Sequence, residues 1–237
     1  MTELPPEIRR QFCLGEMMLR AVVFDMDGVI LDSERLAHAA WREFASADGL
    51  PDIDCLYADA MGRSEEEIAV LFRERYGFDG YPEFRERVLS WSADHVPGGI
   101  IPLREGAREL LDFLRDHEIR TGLATATELV IAQKELIDTG VWDCFDHVVT
   151  GDQVSNCKPD PEIYLKACAL LDVRPEETYG VEDGRNGILA LHAAGMPAIL
   201  TEDQYHPSPE IAALCEVVLP SLHKVKEFFG TILHERI

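Results

Sequence analysis

Cationic side chains are scarce in this chain: 22 Lys and Arg stand against 44 Asp and Glu over 237 residues, a formal net charge of −22. A field of that sign repels phosphate backbones and anionic lipid, so no nucleic-acid or membrane partner is expected. No apolar run reaches the length that spans a bilayer. The opening MTELPPEIRRQFCLGEMMLR has no h-region of a secretory signal, and residues 1–19 are read as an extension without assigned function. Six cysteines (Cys13, Cys55, Cys144, Cys157, Cys168 and Cys215) include no CxxC pair and no Cys/His group at zinc-finger spacing. A reduced cytoplasmic protein is the economical expectation. Internal repeats and low-complexity tracts are absent as well.

What is present is the balance of a soluble globular protein, 46% hydrophobic and 28% charged, in a length that suits one large or two modest domains. AVVF (21–24) is a short β-branched run that stops at acidic residues and Gly28, the pattern of a buried strand ending in a tight turn. Helical spacing follows in SERLAHAAWREFASADG from Ser33, in 64–77 with Ser64 and Glu67 forming a capping box, and in 81–96. Pro97, Gly98 and Gly99 break the pattern, which leaves 35–101 as an all-helical unit. Beyond it strands (119–124, 147–151, 178–183, 197–201 and a weak 216–220) alternate with helices (105–118, 128–140, 160–173, 186–195 and a last one from Ser221), except that no helix is read between 197–201 and 216–220. Asp160 and Pro161 read as N-cap and first position of the 160–173 helix. Such alternation implies a parallel sheet covered on both faces. The expected fold is α/β: a doubly wound, Rossmann-like core formed by 20–34 and 102–237, interrupted after its first strand by a helical insert at 35–101.

Ligands of open parallel sheets bind beyond the carboxyl ends of the strands. Those ends carry Asp25 and Asp27 in FDMDG, Thr125 and Thr127 in LATAT, Lys158 in CKPDPE, and Glu182 and Asp183 in GVEDGRNG. Singly, each has an ordinary explanation: a DxDG turn, a helix-capping threonine, a surface lysine, a loop. Together they place carboxylates, a hydroxyl and a cation on one edge of one sheet. Asp25 and Asp27 are two apart, so in extended chain they leave on one side. With Asp183 they make an oxygen-only set that suits Mg²⁺ over softer metals. A carboxylate can act as nucleophile and form an aspartyl-phosphate. A threonine at a helix start and a lysine supply what a phosphate needs.

These segments resemble the haloacid dehalogenase superfamily of phosphohydrolases. The resemblance rests on VVFDMDGVILDSE, LATAT, KPDPEIY and GVEDGRNGILALHAAG, in the family's order, and covers residues 20 to 237. It is closest to the β-phosphoglucomutase-like branch with a helical cap. It implies Asp25 as nucleophile and metal ligand, and Asp27 as acid and base with its carbonyl on the metal. It further implies Thr125, Ala126 and Lys158 at the transferring phosphoryl group, Asp183 on Mg²⁺, and Glu182 on it directly or through water. Gly28 would permit the turn, and Arg63 in MGRS is a candidate contact for the rest of the substrate. A Mg²⁺-dependent phosphatase of a small phosphorylated metabolite follows, acting as a monomer or weak homodimer.

A phosphomutase is the alternative. The branch's mutases place a histidine at the position of Ala37 and a lysine in the cap. Here His38 is one residue late, about 100° round the helix, and 35–101 contains no lysine. Gly184 also stands where the family often has serine. A dehalogenase needs neither Asp27 nor a metal cluster, and a silent phosphate sensor would not need every charged position.

Overall fold

The computed structural model describes residues 19–61, 63, 65–202 and 206–234. Its centre is a six-stranded parallel sheet of β1 (Ala21–Phe24), β2 (Arg120–Ala124), β3 (His147–Val149), β4 (Thr178–Glu182), β5 (Ala198–Thr201) and β6 (Val217–Leu219), in the order β3-β2-β1-β4-β5-β6. The chain builds outward from β1 through β2 to β3, then crosses to the other side of β1 for β4. The order reverses between β1 and β4, and a crevice forms there at the carboxyl ends.

Alternation along the strands explains the two layers. Val22 and Phe24 of β1 face one core, Ala21 and Val23 the other. The first core is closed by Leu110, Leu111 and Leu114 of helix Ala107–Asp116, by Leu136 of helix Leu129–Asp138 and by Phe228 and Phe229 of helix Leu222–His234. The second is closed by Ile163, Tyr164 and Ala167 of helix Glu162–Leu170 and by Ile188 and Leu191 of helix Arg185–Ala194. Numbered along the chain with the four helices that precede them, these are α5, α6, α10, α7 and α8; α9 is the short Pro209–Ala212.

Between β1 and α5 lie α1 (Ser33–Asp48), α2 (Ile53–Ala60), α3 (Glu65–Tyr76) and α4 (Tyr81–His95). They share a third core of their own, with Trp41, Tyr57, Phe72, Tyr81 and Phe84 at its centre. The periodicity accounts for three of these helices. It gives no sign of α2, which is only eight residues long and starts behind Pro51 and an Asp52 of positive φ. The Ser64 half of the expected capping box lies outside the described residues. Helix α7 begins at Glu162 with Pro161 in the N-cap position, one residue later than expected, and Asp160 Oδ1 accepts the Glu162 amide at 3.0 Å. The two connectors between α1–α4 and the sheet run side by side: Asp32 N donates to the carbonyl of Pro102 (2.8 Å), and Leu31 bridges Leu103.

Candidate active site

Asp25 follows β1, while Glu182 ends β4 and Asp183 follows it, so the crevice brings three carboxylates together. Their oxygens lie within 4.8 Å of one another, and all three residues are buried. Lys158 enters from the loop before α7 and uses all three of its protons. Nζ donates to Asp25 Oδ1 (2.5 Å), to Glu182 Oε1 (2.7 Å) and to the carbonyl of Ala124 (3.0 Å).

Electrostatics explain why this set is unfinished as it stands. Burial by itself would pull the Lys158 ammonium down, but Asp25 and Glu182 overcome that and hold it well above the usual lysine range. The Asp25 carboxyl is pushed up to about 8, by burial first and then by Glu182 and Asp27, with Lys158 opposing. Burial, followed by the charges of Glu34, Glu182 and Asp25, drives Asp183 well above the ordinary carboxylate range. The pocket therefore holds more negative charge than Lys158 can balance.

A divalent cation fits that surplus. Among the described residues, neither the Asp183 carboxylate nor Asp25 Oδ2 has a hydrogen-bond donor, so both remain available as hard oxygen ligands. Glu182 differs. Its Oε1 already accepts from Lys158 and from the hydroxyl of Tyr164, and its Oε2 from the amides of Asp183 (3.2 Å) and Gly184 (3.5 Å). That arrangement suits Glu182 to a water-mediated contact with a metal. Two glycines leave room for the acids: a Cβ on Gly28, whose φ is 73°, would overlap the Asp183 carboxylate, and one on Gly187 would overlap that of Glu182.

Asp27 stands apart from the triad. Its Oδ2 accepts from Thr127 Oγ1 at 2.9 Å. Thr125 is buried just past β2, its Oγ1 accepting the Thr127 amide at 3.1 Å, and Ala126 between them is exposed. Arg63 is not drawn into this group. It is exposed, with Nε on the carbonyl of Asp59 (2.6 Å) and Nη1 4.0 Å from Glu67. His38 turns toward α2, 2.9 Å from Asp54 and stacked on Tyr57 at 4.3 Å.

Three contributors escape a reading of the sequence. Tyr164 is fully buried, donates to Glu182 and carries Lys158 Nζ 4.9 Å from its ring centroid. KPDPEIY contains it, but nothing marks a helical tyrosine as more than core. Arg104 is buried, with its guanidinium on the carbonyls of Gly28 (2.5 Å) and Glu202 (2.7 Å), and so pins the turn after β1. Glu34 accepts from Tyr57 at 2.6 Å and raises Asp183 through its charge. The DSE text was its only signal.

Residues 19–195 match the family profile described as haloacid dehalogenase-like hydrolase. The chain belongs to this family. Among its haloacid dehalogenase-like relatives is the phosphorylated carbohydrates phosphatase of Thermotoga maritima, 34% identical over 215 residues, which are 90% of this chain and 98% of the relative. The β-phosphoglucomutase of Bacillus subtilis is 30% identical, over 76% of this chain and 82% of the relative. Of solved structures, CbbY from Rhodobacter sphaeroides in complex with phosphate superposes with a TM-score of 0.66 at 27% identity, over 88% of this chain and 96% of that one. No helix among the described residues is long and apolar enough to cross a membrane.

Proposed function

We propose that this haloacid dehalogenase-like hydrolase is a Mg²⁺-dependent phosphatase of a small phosphorylated carbohydrate or similar metabolite, working through an aspartyl-phosphate on Asp25. The observation that carries the reading is the buried meeting of Asp25, Lys158, Glu182 and Asp183, with Asp27 held by Thr127 beside it. The phosphatase relative supports the substrate class. Helices α1–α4 serve as the cap over the strand ends, the expected 35–101 unit with its first helix starting two residues earlier, at Ser33. A cytoplasmic setting agrees with free cysteines at 55, 144, 157, 168 and 215.

In this reading Lys158 fixes Asp25 through Oδ1 and, with Thr125, holds the phosphoryl oxygens. An Asp25 oxygen attacks phosphorus, and the bond from phosphorus to the ester oxygen breaks. Asp27 gives its proton to that leaving oxygen. Thr127 donates to Asp27 Oδ2, which leaves Oδ1 to carry the proton. Asp27, now ionised, takes a proton from water as the water attacks the aspartyl-phosphate; inorganic phosphate departs and Asp25 is restored. Mg²⁺ held by Asp25, Asp183 and the Asp27 carbonyl, with Glu182 behind a water, would neutralise the charge gathered on the phosphoryl group.

The test is phosphate release from aryl and sugar phosphates. EDTA should silence it and Mg²⁺ restore it, with Asp183→Ala needing more Mg²⁺. Full activity in EDTA would refute the metal. The β-phosphoglucomutase relative keeps a mutase as the second reading. Against it stand the lysine-free stretch 35–101 and a His38 engaged by Asp54 and Tyr57. Glucose 6-phosphate forming from β-glucose 1-phosphate and trace 1,6-bisphosphate, much faster than free phosphate, would reverse the choice.

A further inference from the structure

Tyr164 joins the packed interior to the charges above it. It lies in the first turn of α7, its amide on the carbonyl of Pro161 (3.1 Å), and it is wholly buried. Ala167 and Cys168, three and four residues on, share its side of the helix and its place in the second core. From there the phenol hydroxyl donates to Glu182 Oε1, and Lys158 Nζ stands over the ring, 4.9 Å from its centroid. One side chain therefore holds both halves of the Lys158–Glu182 pair, the anion by a hydrogen bond and the cation by the face of its ring.

The hydroxyl fills a place that a metal would otherwise contest. A carboxylate has roughly four acceptor sites. Glu182 uses them for Lys158 and Tyr164 at Oε1 and for the amides of Asp183 and Gly184 at Oε2. Distance does not keep it from a cation, since an oxygen of Glu182 lies within 4.8 Å of oxygens of Asp25 and Asp183. Nor has the carboxylate room to back away: Glu182 is buried, and a Cβ on Gly187 would fall 1.8 Å from its Oε1. What it binds is decided by which donors reach it.

We propose that Tyr164 is a positioning residue: by holding Glu182 Oε1 on the core side it reserves that carboxylate as the anchor of Lys158 and leaves Asp25 and Asp183 as the carboxylate ligands of the metal. This assignment rests on the metal-dependent phosphatase reading and adds what divides its acids between two tasks. With Glu182 fixed, Nζ is steadied between Asp25 Oδ1 (2.5 Å) and Glu182 Oε1 (2.7 Å), where a phosphoryl oxygen would meet it. Without the hydroxyl, a buried acceptor loses its donor, and turning toward the cation relieves that loss. The cation then gains a third carboxylate while Lys158 loses its anchor. Metal affinity and turnover should move in opposite directions.

The test is Tyr164→Phe, which keeps the ring and removes the hydroxyl. Calorimetric titration with Mg²⁺ alone, on protein freed of metal by EDTA, should show binding about tenfold tighter than wild type, the size of a hydrogen bond to a charged group. At saturating Mg²⁺, kcat on an aryl phosphate should fall about tenfold. Tyr164→Met, which has neither ring nor hydroxyl, should show the same tightening with a deeper loss of kcat, and it replaces the phenylalanine protein if that one does not fold. Mg²⁺ binding unchanged or weaker than wild type in a folded variant would overturn the proposal, as would tighter binding at wild-type kcat. A lower melting temperature with affinity and kcat falling together would mark a merely structural tyrosine and overturn it equally. Tighter Mg²⁺ binding in a protein that hydrolyses no phosphate ester would support the control of Glu182 and refute the phosphatase reading instead. Absence of Mg²⁺ binding in wild type and variant alike would refute the metal, and the role of Tyr164 would fall with it.

Discussion

At the carboxyl ends of β1 and β4, four charged side chains are buried together: Asp25, Lys158, Glu182 and Asp183. In α1–α4 the ion pairs lie on the outside, as in Arg42–Asp54 (2.7 Å) and Arg87–Asp48 (2.6 Å), and the interior is aromatic. There Trp41 meets Tyr57 at 5.1 Å and Phe84 at 5.3 Å, edge to face. The contrast teaches where each region's charges come from. A surface pair in water contributes little and is lost without consequence. Buried charges oppose folding unless they are matched, so a cluster left with surplus negative charge points to chemistry. The helical segment is held by shape, and the strand ends are held for reactivity.

The sharpest way to break that contrast is Asp25→Asn. The amide cannot attack phosphorus, and turnover should fall on the order of 10⁴-fold or more. The fold should survive, because the change removes one of the crowded negative charges. Phosphate release within tenfold of wild type would end the nucleophile assignment.

Asp27→Asn should cost about 10²–10⁴ in rate on sugar phosphates. On an aryl phosphate, whose leaving oxygen needs less protonation, the loss should be smaller. Equal losses on both substrates would take the acid role from Asp27.

In the helical segment the large effects should be on stability. Phe72 is buried against Tyr76, Phe84 and Tyr81. Phe72→Ala should cost about 3–5 kcal/mol of that unit's packing, seen as an earlier transition in urea followed by fluorescence. A wild-type midpoint would show that the aromatic core is not what holds α1–α4 together.

The smallest effect belongs to Glu135→Gln. The folded protein holds a proton on Glu135 up to about pH 7, against 4.5 for the free side chain. The resulting stability is fully present below 4.5 and is lost as pH rises through about 7. Glutamine never ionises, so the variant should melt about 1–3 °C higher than wild type at pH 8, a figure kept small by partial exposure. The difference should vanish near pH 4.5. Equal melting temperatures at both pH values would show that Glu135 is not held protonated by its surroundings.

The sequence by itself determined the alternation of strands and helices, the interruption after β1 and the acidic, hydroxyl and cationic groups at the strand ends. It could do so because these are local patterns: apolar runs of strand length, helical spacing, and residue types that end buried strands. Only the tertiary structure decided how those groups divide. Glu182 is saturated by Lys158, Tyr164 and two amides, while Asp183 is left open to a cation. Arg63 pairs with Asp59 of α2 and Glu67 of α3 instead of reaching the site, and Arg104, unmarked in the sequence, is buried against the turn at Gly28. Short α2 belongs to the same class. Each depends on which side chains other elements bring within hydrogen-bonding distance, and that distance is set by packing across separations of up to 133 residues, as between Asp25 and Lys158.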